Sequence, residues 1–498
     1  MRRPMRLAPP LVLALSLALV GQARSQCPDG SAPPCSRAVS RAPVPNSVAV
    51  LYFDNLSRDT ADAFLADGLT EEIIIRLGQV RRLQVRSRFE VQRFRGRAAR
   101  QDPPVLGRAL NAAYLVTGSV SRVGDRVRLR VVLVRTATRA QAWGDVIDRA
   151  SSDLLTVESD IARDVTTAVV GQLLPEERSR LTRPLTSDPI AYEEYLRGRQ
   201  DVNRSFEEAA NRSAIAHFDR AIARDSTFAA AFAAQGTAWI ALADGYVPPR
   251  EGYTRARDAA ERALARDSTQ AVAYMVLANA VLALDLDARR GEALARRAIA
   301  LDPNNGDAYS SLSQDLLAQG RLGESITAAA RGWEVDSLED YPGVWYADVL
   351  RYGHRLDSAA ALLPRLRAAG QTANADALAG SLLAARGDWR SARQLLTWRY
   401  YGGRMAGTLV RALVALGDTI AARSVVDSML DARTPGYYNP LPLARAYAAL
   451  GDLDRGLEWL RRAFEERTVW LCAVRVDDEL APLRADPRYA ALDQQLRY

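Results

Sequence analysis

The first third of the chain, from residue 47 on, switches between short apolar runs and amphipathic stretches. Ser47–Phe53 is an apolar run of strand length, and in Thr60–Gly78 the apolar side chains recur every three or four residues, which indicates a helix. Apolar and polar residues alternate on both sides of Gly124-Asp125, which is typical of a β-hairpin. The predicted strands are 47–53, 83–87, 114–123, 127–134 and 140–148, and the predicted helices are 60–78, 104–110 and 153–173. This βαβαβββα order predicts an α+β domain over residues 47–175.

The remaining two-thirds of the chain carry helical periodicity with a repeat of about 34 residues. Glycines recur at steps of 33, 34, 30 and 34 residues, at Gly320, Gly353, Gly387, Gly417 and Gly451. A period of this length is typical of a helix–turn–helix solenoid. Because stacked units of this kind expose a long concave surface, the pattern favours binding over chemistry. We predict an all-α superhelical solenoid of about eight repeats over 190–467, capped by 468–498.

The N-terminal segment has the features of a secretory signal. Residues 1–25 combine a basic start, the apolar run Leu7–Val20 and a small-x-small site, so we expect cleavage after Ser25. The apolar run has only 14 residues, which is short for a membrane span. Residues 26–46 and 176–189 are rich in proline and are predicted to be linkers. We therefore expect export across the inner membrane, to the periplasm of a bacterium.

All 66 basic residues are arginine, and the chain contains no lysine and only two histidines, His217 and His354. A Walker-type phosphate loop and Schiff-base chemistry both need lysine, so both are excluded. Two histidines leave little basis for a histidine-rich zinc site. The formal net charge of +7 includes four arginines of the signal segment. Their removal weakens any argument for nucleic acid as a partner.

Three cysteines are present. Cys27 and Cys35 flank a short proline-containing loop after the cleavage site, and in an oxidising compartment they are expected to form a disulfide. Cys472 lies in an apolar stretch and is interpreted as a small buried hydrophobic residue that stays a thiol.

Three phrases of the α+β part, Ser47–Ser57, Phe64–Ile74 and Tyr114–Arg122, resemble the TolB N-terminal-like domain. The resemblance covers about residues 46–175 and implies a partner-binding role. In many members of that family the domain follows a kinase, a cyclase or a winged-helix domain, whereas here a predicted signal peptide occupies that place.

The region from Ile190 to Arg467 resembles tetratricopeptide (TPR) repeats. Ala392 and Ala422 lie five residues after their turn glycines, and Gly380 lies seven residues before the next one, as small residues do in this family. Other repeats depart from the pattern. The resemblance implies binding of peptides or proteins.

An acidic cluster, Asp67, Glu71 and Glu72, lies within the predicted helix 60–78. Asp67 and Glu71 are four residues apart and could converge on a metal or act in acid–base catalysis. The alternative, which we favour, is that these acids mark the helix N-terminus, where negative charge is stabilising.

The segment Arg76–Arg100 contains nine arginines and one acidic residue, Glu90. One interpretation is a surface for an anionic envelope component. The favoured alternative is a solvated face in a chain that uses arginine for all its cations.

The first helix of each TPR pair lines the concave side, and counting back from the turn glycines locates groove positions. These candidate peptide-binding residues are Asn374, Ser381, Arg404, Arg411, Tyr438 and Arg445. The arginine fork binds a carboxylate through two bonds, so an acidic peptide or a terminal carboxylate is the expected ligand. The alternative, that these arginines are merely solvated, stays open.

The function we infer from the sequence is a non-catalytic protein- or peptide-binding scaffold of the cell envelope. We expect no cofactor, no metal site, no nucleic-acid partner and no transmembrane span, and the oligomeric state is left open. Two alternatives are a carboxylate-based envelope hydrolase and the sensory half of a regulator whose output domain is on another chain.

Overall fold

The computed structural model describes residues 43–496, with gaps at 58, 60–61, 87–90, 93, 97–100, 183, 203–206, 244, 336–339, 369–371, 398–402 and 432–438. The predicted signal segment and the pair Cys27 and Cys35 lie outside the described residues. From Pro43 onward the chain forms one compact unit.

A mixed six-stranded sheet forms the first part of this unit. Its strands are β1 (Val44–Val50), β2 (Asp54–Asn55), β3 (Gln84–Val85), β4 (Ala112–Val123), β5 (Arg126–Arg135) and β6 (Gln141–Ala150). Its helices are α1 (Ala63–Gly78), α2 (Pro103–Ala109) and α3 (Val157–Val170). The strand order is β3-β1-β4-β5-β6, with β2 beside β4. The predicted βαβαβββα order is observed, and β2 is a two-residue addition.

At β5 the sheet has one buried and one exposed face. Successive side chains of a strand point to opposite faces. The buried residues of β5 are Val127, Leu129, Val131 and Leu133. Its exposed residues Arg126, Arg128 and Arg130 alternate with them. The hairpin turn between β4 and β5 contains Gly124 with φ of 63°, a conformation that glycine adopts without strain.

A short helix, α4 (Pro175–Thr182), leads into a solenoid of helix pairs. The described residues form eight pairs: α5 (Pro189–Val202) with α6 (Glu208–Arg224), α7 (Ala229–Leu242) with α8 (Pro249–Arg266), α9 (Ala271–Asp285) with α10 (Ala288–Leu301), α11 (Gly306–Ala318) with α12 (Leu322–Val335), α13 (Asp340–Tyr352) with the split helix α14 (Leu356–Ala360) and α15 (Leu363–Ala368), α16 (Thr372–Ala385) with α17 (Trp389–Leu395), α18 (Ala406–Ala415) with α19 (Thr419–Leu430), and α20 (Pro440–Ala449) with α21 (Leu453–Glu466). Two short helices, α22 (Ala481–Arg484) and α23 (Tyr489–Asp493), end the described chain.

The Gly-Asp phrases form the turns inside three of these pairs. The phrases are Gly387-Asp388, Gly417-Asp418 and Gly451-Asp452. Each glycine ends a helix in the left-handed region, with φ of 78°, 80° and 77°. Each aspartate then caps the next helix by accepting a backbone N–H three residues on. At the fifth pair the residue with positive φ lies one position later than the glycine pattern predicts. It is His354, with φ of 53°, and not Gly353.

The last helix pair and the C-terminal segment contact the middle of the solenoid. Val469, Cys472 and Ala473 lie in one apolar cluster with residues of α9, α11, α13 and α16. The Trp470 ring lies 6.2 Å from that of Trp345, and Arg250 donates to the Glu465 carbonyl at 2.8 Å. The predicted capping segment 468–498 therefore packs on the first helices of earlier pairs as well as on the last pair.

The α+β part and the solenoid share a hydrophobic core. One apolar cluster runs from β1 through α3 and into the first two helix pairs. At Gly68 of α1 an added Cβ would lie 2.8 Å from Leu196 Cδ2, so the two parts are in close contact. The predicted linker 176–189 also differs from expectation, because it contains most of α4 and buries Leu181. Pro175, directly before this segment, and Pro189, its last residue, are the first residues of α4 and α5. The domain boundaries themselves remain predictions.

Candidate functional site

The acidic cluster of α1 does not lie at a helix N-terminus. Asp67, Glu71 and Glu72 are in the body of the helix and are 3%, 2% and 3% exposed. Our favoured interpretation, that these acids mark the helix N-terminus, is therefore wrong, because these side chains face another part of the protein. In the described part of the chain, no group of three or more His, Cys, Asp or Glu side chains could hold a metal ion.

Helix α5 of the solenoid supplies one partner for each of these carboxylates, beside partners from the α+β part. The Tyr195 hydroxyl donates to Glu72 at 3.2 Å, and Gln200 donates to Asp67 at 2.8 Å. Arg199 lies 3.4 Å from Glu71. A buried carboxylate is costly unless it is paired and hydrogen-bonded, and here α5 and the α+β part together supply those bonds. The acidic cluster thus forms a polar joint between the α+β part and the solenoid.

Arg76 and Glu158 extend this joint to α3. Arg76 donates to Glu158 at 3.1 Å and to the Leu181 carbonyl at 3.1 Å. Burial raises the pKa of Glu158 to about 7, against the attraction of Arg76. This raised pKa belongs to a side chain with no exposed surface. An enclosed carboxyl of this kind bears on stability, since a substrate has no route to it.

The arginines of Arg76–Arg100 that the structure describes are bound within the protein. Their contacts are Arg76 with Glu158, Arg81 with the Ala300 carbonyl, Arg82 with Glu177, Arg86 with the Asn111 carbonyl and Arg95 with Asp67. The favoured interpretation as a solvated face therefore fails for Arg76, which is buried, whereas Arg81 and Arg95 are exposed and make their contacts at the surface. The other four arginines of the segment lie outside the described residues.

A cleft on the concave side of the last four helix pairs brings together three of the predicted groove residues, Ser381, Arg404 and Arg445. It is also lined by Asp348, Arg351, Tyr352, Met405, Thr408, Asn439, Leu441, Pro442, Trp470 and Glu479. The cavity volume is about 30 Å³. On this measure a single water needs ~10–15 Å³. The cleft in this form therefore has room for water but not for a peptide.

Two carboxylates from the C-terminal segment contact the Arg445 end of the cleft: Glu479 lines it, and Asp477 binds Arg445 without being among the lining residues. Asp477 accepts from Arg445 Nε at 2.7 Å and is 1% exposed. Glu479 accepts from the Thr408 hydroxyl at 2.5 Å and lies 3.9 Å from Arg445. Burial disfavours the charge on Arg445, but Asp477, Tyr352 and Glu479 hold its pKa above the usual value. The groove position therefore already binds a carboxylate, and that carboxylate belongs to the same chain.

Gly407 allows this approach. A Cβ at Gly407 would lie 2.4 Å from Arg445 Cβ and 3.0 Å from Glu479 Oε2. Any larger residue would therefore separate α18 from α20 and displace the Arg445 side chain.

Arg404 forms the other side of the cleft. It pairs with Asp348 of α13 and lies over the Trp470 ring, 4.7 Å from its centroid. Burial lowers the pKa of Arg404 to about 10, and the nearby charge of Arg445 acts in the same direction. The guanidinium nevertheless stays charged at neutral pH.

Of the other predicted groove residues, the described Arg411 and Asn374 do not line this cleft. Arg411 lies over the Trp389 ring at 5.4 Å, on the neighbouring pair. Asn374 is half-buried near the start of α16. Tyr438 lies outside the described residues. Arg411 is therefore bound between repeats by aromatic contact, an outcome that periodicity alone does not predict.

Sequence reasoning missed Trp470 and Glu479, which line the cleft from the C-terminal segment, and Asp477, which binds Arg445. A signal was present, since Asp477-Asp478-Glu479 is an uninterrupted acidic run in an arginine-rich chain. Its partner could not be named, because Arg445 is 32 residues away and on another element.

The remaining cysteine and histidines have structural surroundings. Cys472 is buried, as expected of a small hydrophobic residue. His217 contacts Glu194 at 2.8 Å between the helices of the first pair, whereas the side chain of His354 is 72% exposed at a turn. Among the described residues, no helix has the combined length and apolar character needed to cross a membrane.

These features define a helical-repeat protein with an appended α+β sheet and an internally occupied concave cleft. No family model matches the chain. A protein of Rhizobium meliloti (strain 1021), named provisionally as adenylate cyclase 3, is 32% identical over 245 residues. The match covers 48% of this chain and 40% of that protein, so the chain spans less than half of its length.

Several solved structures are similar in part. TTC0263, a thermophilic TPR protein of Thermus thermophilus, aligns with 41% of this chain and 100% of its own at 16% identity and a TM-score of 0.32. YrrB, a TPR protein with an unusual peptide-binding site, aligns with 42% and 91% at 18% identity and a TM-score of 0.25. The human IFIT1 dimer with PPP-AAAA aligns with 70% and 92% at 15% identity and a TM-score of 0.39. Similarity at this level does not indicate a function. The function proposed below therefore rests on the geometry of this chain.

Proposed function

We propose that this protein is a non-catalytic scaffold that holds an acidic segment of a protein partner in the concave cleft of its last four helix pairs. One observation carries the proposal: Arg445 and Thr408 already hold two carboxylates of an irregular chain segment. An arginine with planar donors on a rigid helix suits this task. The same cleft thus accepts the ligand chemistry that the groove positions predict.

The charge state of the cleft favours binding over hydrolysis. A general acid needs a carboxyl whose pKa lies near the working pH. Burial works against the charge of Asp477, but Arg445 and Arg351 hold the pKa of that carboxyl below its usual value. Asp348 is likewise paired with Arg404. Carboxylates held ionised by arginines are poor proton donors, which weighs against the envelope-hydrolase alternative.

We place this scaffold in the periplasm, on the basis of the predicted signal segment. Expression in a Gram-negative host followed by osmotic shock tests this placement. The expected product is found in the periplasmic fraction and begins at Gln26 by mass spectrometry. A cytoplasmic product that keeps Leu7–Val20 would contradict it.

A second candidate function is the binding half of a regulator whose output domain lies on another chain. The match to part of a protein provisionally named as an adenylate cyclase favours it. The TolB-like resemblance points the same way. Identification of captured partners separates the two candidates: envelope proteins support the scaffold, and a nucleotide-signalling enzyme supports the regulator.

The test of the cleft compares two pairs of arginine substitutions. Arg404→Gln with Arg445→Gln removes two arginine charges that line the cleft, and Arg390→Gln with Arg423→Gln removes two exposed charges from second helices. An immobilised mature chain captures partners from a periplasmic extract before and after each change. A lost buried charge pair costs ~2–5 kcal/mol of binding, so the first variant should lose its partners and the control should keep them. Equal capture by both variants would refute the cleft assignment.

A further inference from the structure

The segment Arg475–Glu479, which we call the acidic loop, lies between two anchored stretches. Before it, Val469–Ala473 is packed in the apolar clusters of the solenoid. After it, Leu480 and Leu483 are buried in the cluster that also contains the apolar face of α21. Between these anchors, the loop is held by the carboxylate contacts of Asp477 and Glu479, by the Arg475–Asp493 ion pair, by a few backbone hydrogen bonds and by the partly buried side chain of Val476. The loop can therefore separate from the cleft while both anchors stay in place.

The contacts of the acidic loop follow a two-residue spacing. Glu479 lines the cleft and accepts from Thr408, and Asp477 accepts from Arg445, which also lines the cleft. Asp478, between them, has a side chain that is 55% exposed and lies 3.8 Å from His354 outside the cleft. The cleft residues thus bind the first and third carboxylates of the run Asp477–Glu479 and leave the second outside.

We propose that the acidic loop is an internal ligand of the cleft, and that a partner binds by replacing it with a segment that carries two carboxylates two residues apart. This inference rests on the proposed function. When Asp477 and Glu479 leave, the cleft presents Arg351, Arg404 and Arg445 with a single carboxylate, Asp348. Such a surplus of arginine attracts an acidic segment and disfavours a neutral one.

The size of the cleft links binding to loop displacement. The cavity volume of about 30 Å³ leaves no space for a second acidic segment while the loop is in place. A partner therefore binds only the open form, and its apparent affinity is reduced by the fraction of molecules that are open. Weakening the loop should raise affinity for an acidic partner without any change in the cleft itself.

The experiment measures binding of a labelled, acetylated and amidated peptide with the sequence of residues 473–484 to the full mature chain. In the test variant, Asp477→Asn with Glu479→Gln keeps the shape of the loop and removes its charge. The matched control is Asp478→Asn, which removes one charge from the same loop outside the cleft. Loss of the charge-assisted pairing in the loop should tighten peptide binding about tenfold or more. The control should bind as the wild type does, and a peptide with amides at the two inward positions should bind neither protein.

Hydrogen exchange on the wild-type chain provides a second test that needs no variant. In the closed form the backbone N–H groups of Val476 and Asp477 donate to the Ala473 carbonyl, both at 3.0 Å. Saturating peptide should speed exchange of these amides, while those of α20 stay protected. Peptide binding that leaves the loop amides protected would overturn the internal-ligand proposal.

The outcomes separate this inference from the proposed function. If the test variant and the wild type bind the acidic peptide equally well, the cleft binds acidic segments but the loop does not compete, and the internal ligand is refuted. If neither protein binds it, the cleft does not accept acidic segments, and the proposed function fails as well.

Discussion

Replacing Glu158 with glutamine should make this protein more stable at alkaline pH, although the change removes an ion pair. Glu158 lies in α3 with no exposed surface and accepts from Arg76 at 3.1 Å. Burial raises the pKa of Glu158 to about 7 in spite of Arg76. Because the charged form of Glu158 loses more by desolvation than it gains from Arg76, a neutral side chain of the same shape suits this site better.

The size and sign of the effect follow from proton linkage. The ordinary pKa of the carboxyl is 4.5, and each unit of difference between the folded and unfolded states is worth ~1.36 kcal/mol. A folded-state pKa of about 7 corresponds to about 3 kcal/mol. Because the folded state binds the proton more tightly, this stability is present below pH 4.5 and is lost as the pH rises through 7. Glutamine stays neutral throughout, so Glu158→Gln should gain about 3 kcal/mol on the wild type between pH 4.5 and pH 8.

Urea unfolding, followed by far-ultraviolet circular dichroism at pH 4.5, 6, 7 and 8, measures this difference. The control is Glu458→Gln, which changes an exposed carboxyl on α21 and should show no pH-dependent gain. If Glu158→Gln instead loses stability relative to the wild type as pH rises, the attraction of Arg76 exceeds the cost of burial. That result would refute the reasoning.

Three further predictions concern the turns, the shared core and the cysteines. Gly387→Ala should lower the free energy of unfolding by ~1–2 kcal/mol because φ at this residue is 78°. Gly323→Ala should not, because Gly323 has no positive φ and a Cβ added there would lie in open space. Thermal melts of the two variants compare their stability. A chain that begins at Ile190 loses the α+β part of a common core and should aggregate in light scattering, so a monodisperse product would contradict that core. Thiol titration of denatured mature protein should find one reactive thiol, and three would exclude the bridge between Cys27 and Cys35.

Local rules account for what the sequence predicts well. A turn glycine with positive φ and an aspartate that caps the next helix interact within a few residues, so Gly417-Asp418 is readable without knowledge of the fold. The alternation along β5 is local in the same sense. Element type and repeat length are therefore predictable from the order of residues.

Long-range pairing accounts for what the sequence does not predict. A charged residue such as Glu72 is expected near solvent or at a helix end, but its partner Tyr195 is 123 residues away. The two parts of the chain bury this carboxylate only because each supplies the other's hydrogen bonds. Hydrophobic periodicity indicates which face of a helix is apolar. It does not predict a buried face that is made of paired charges.

The polar joint and the cleft use the same device for different purposes. In both, carboxylates of one element are paired with arginines of another, and the planar fork of arginine makes such pairs specific in direction. At the joint, Arg76 and its partners are enclosed within a shared hydrophobic core, so opening them would expose apolar surface as well as charge. At the cleft, the acidic loop lies between separate anchors, and opening it exposes its carboxylates and one partly buried apolar side chain, Val476. A competing acidic segment can supply new partners for charge but cannot replace a lost apolar core. Partner binding should therefore open the cleft and leave the joint closed, which makes Arg445 the position where ligand binding and chain conformation are coupled.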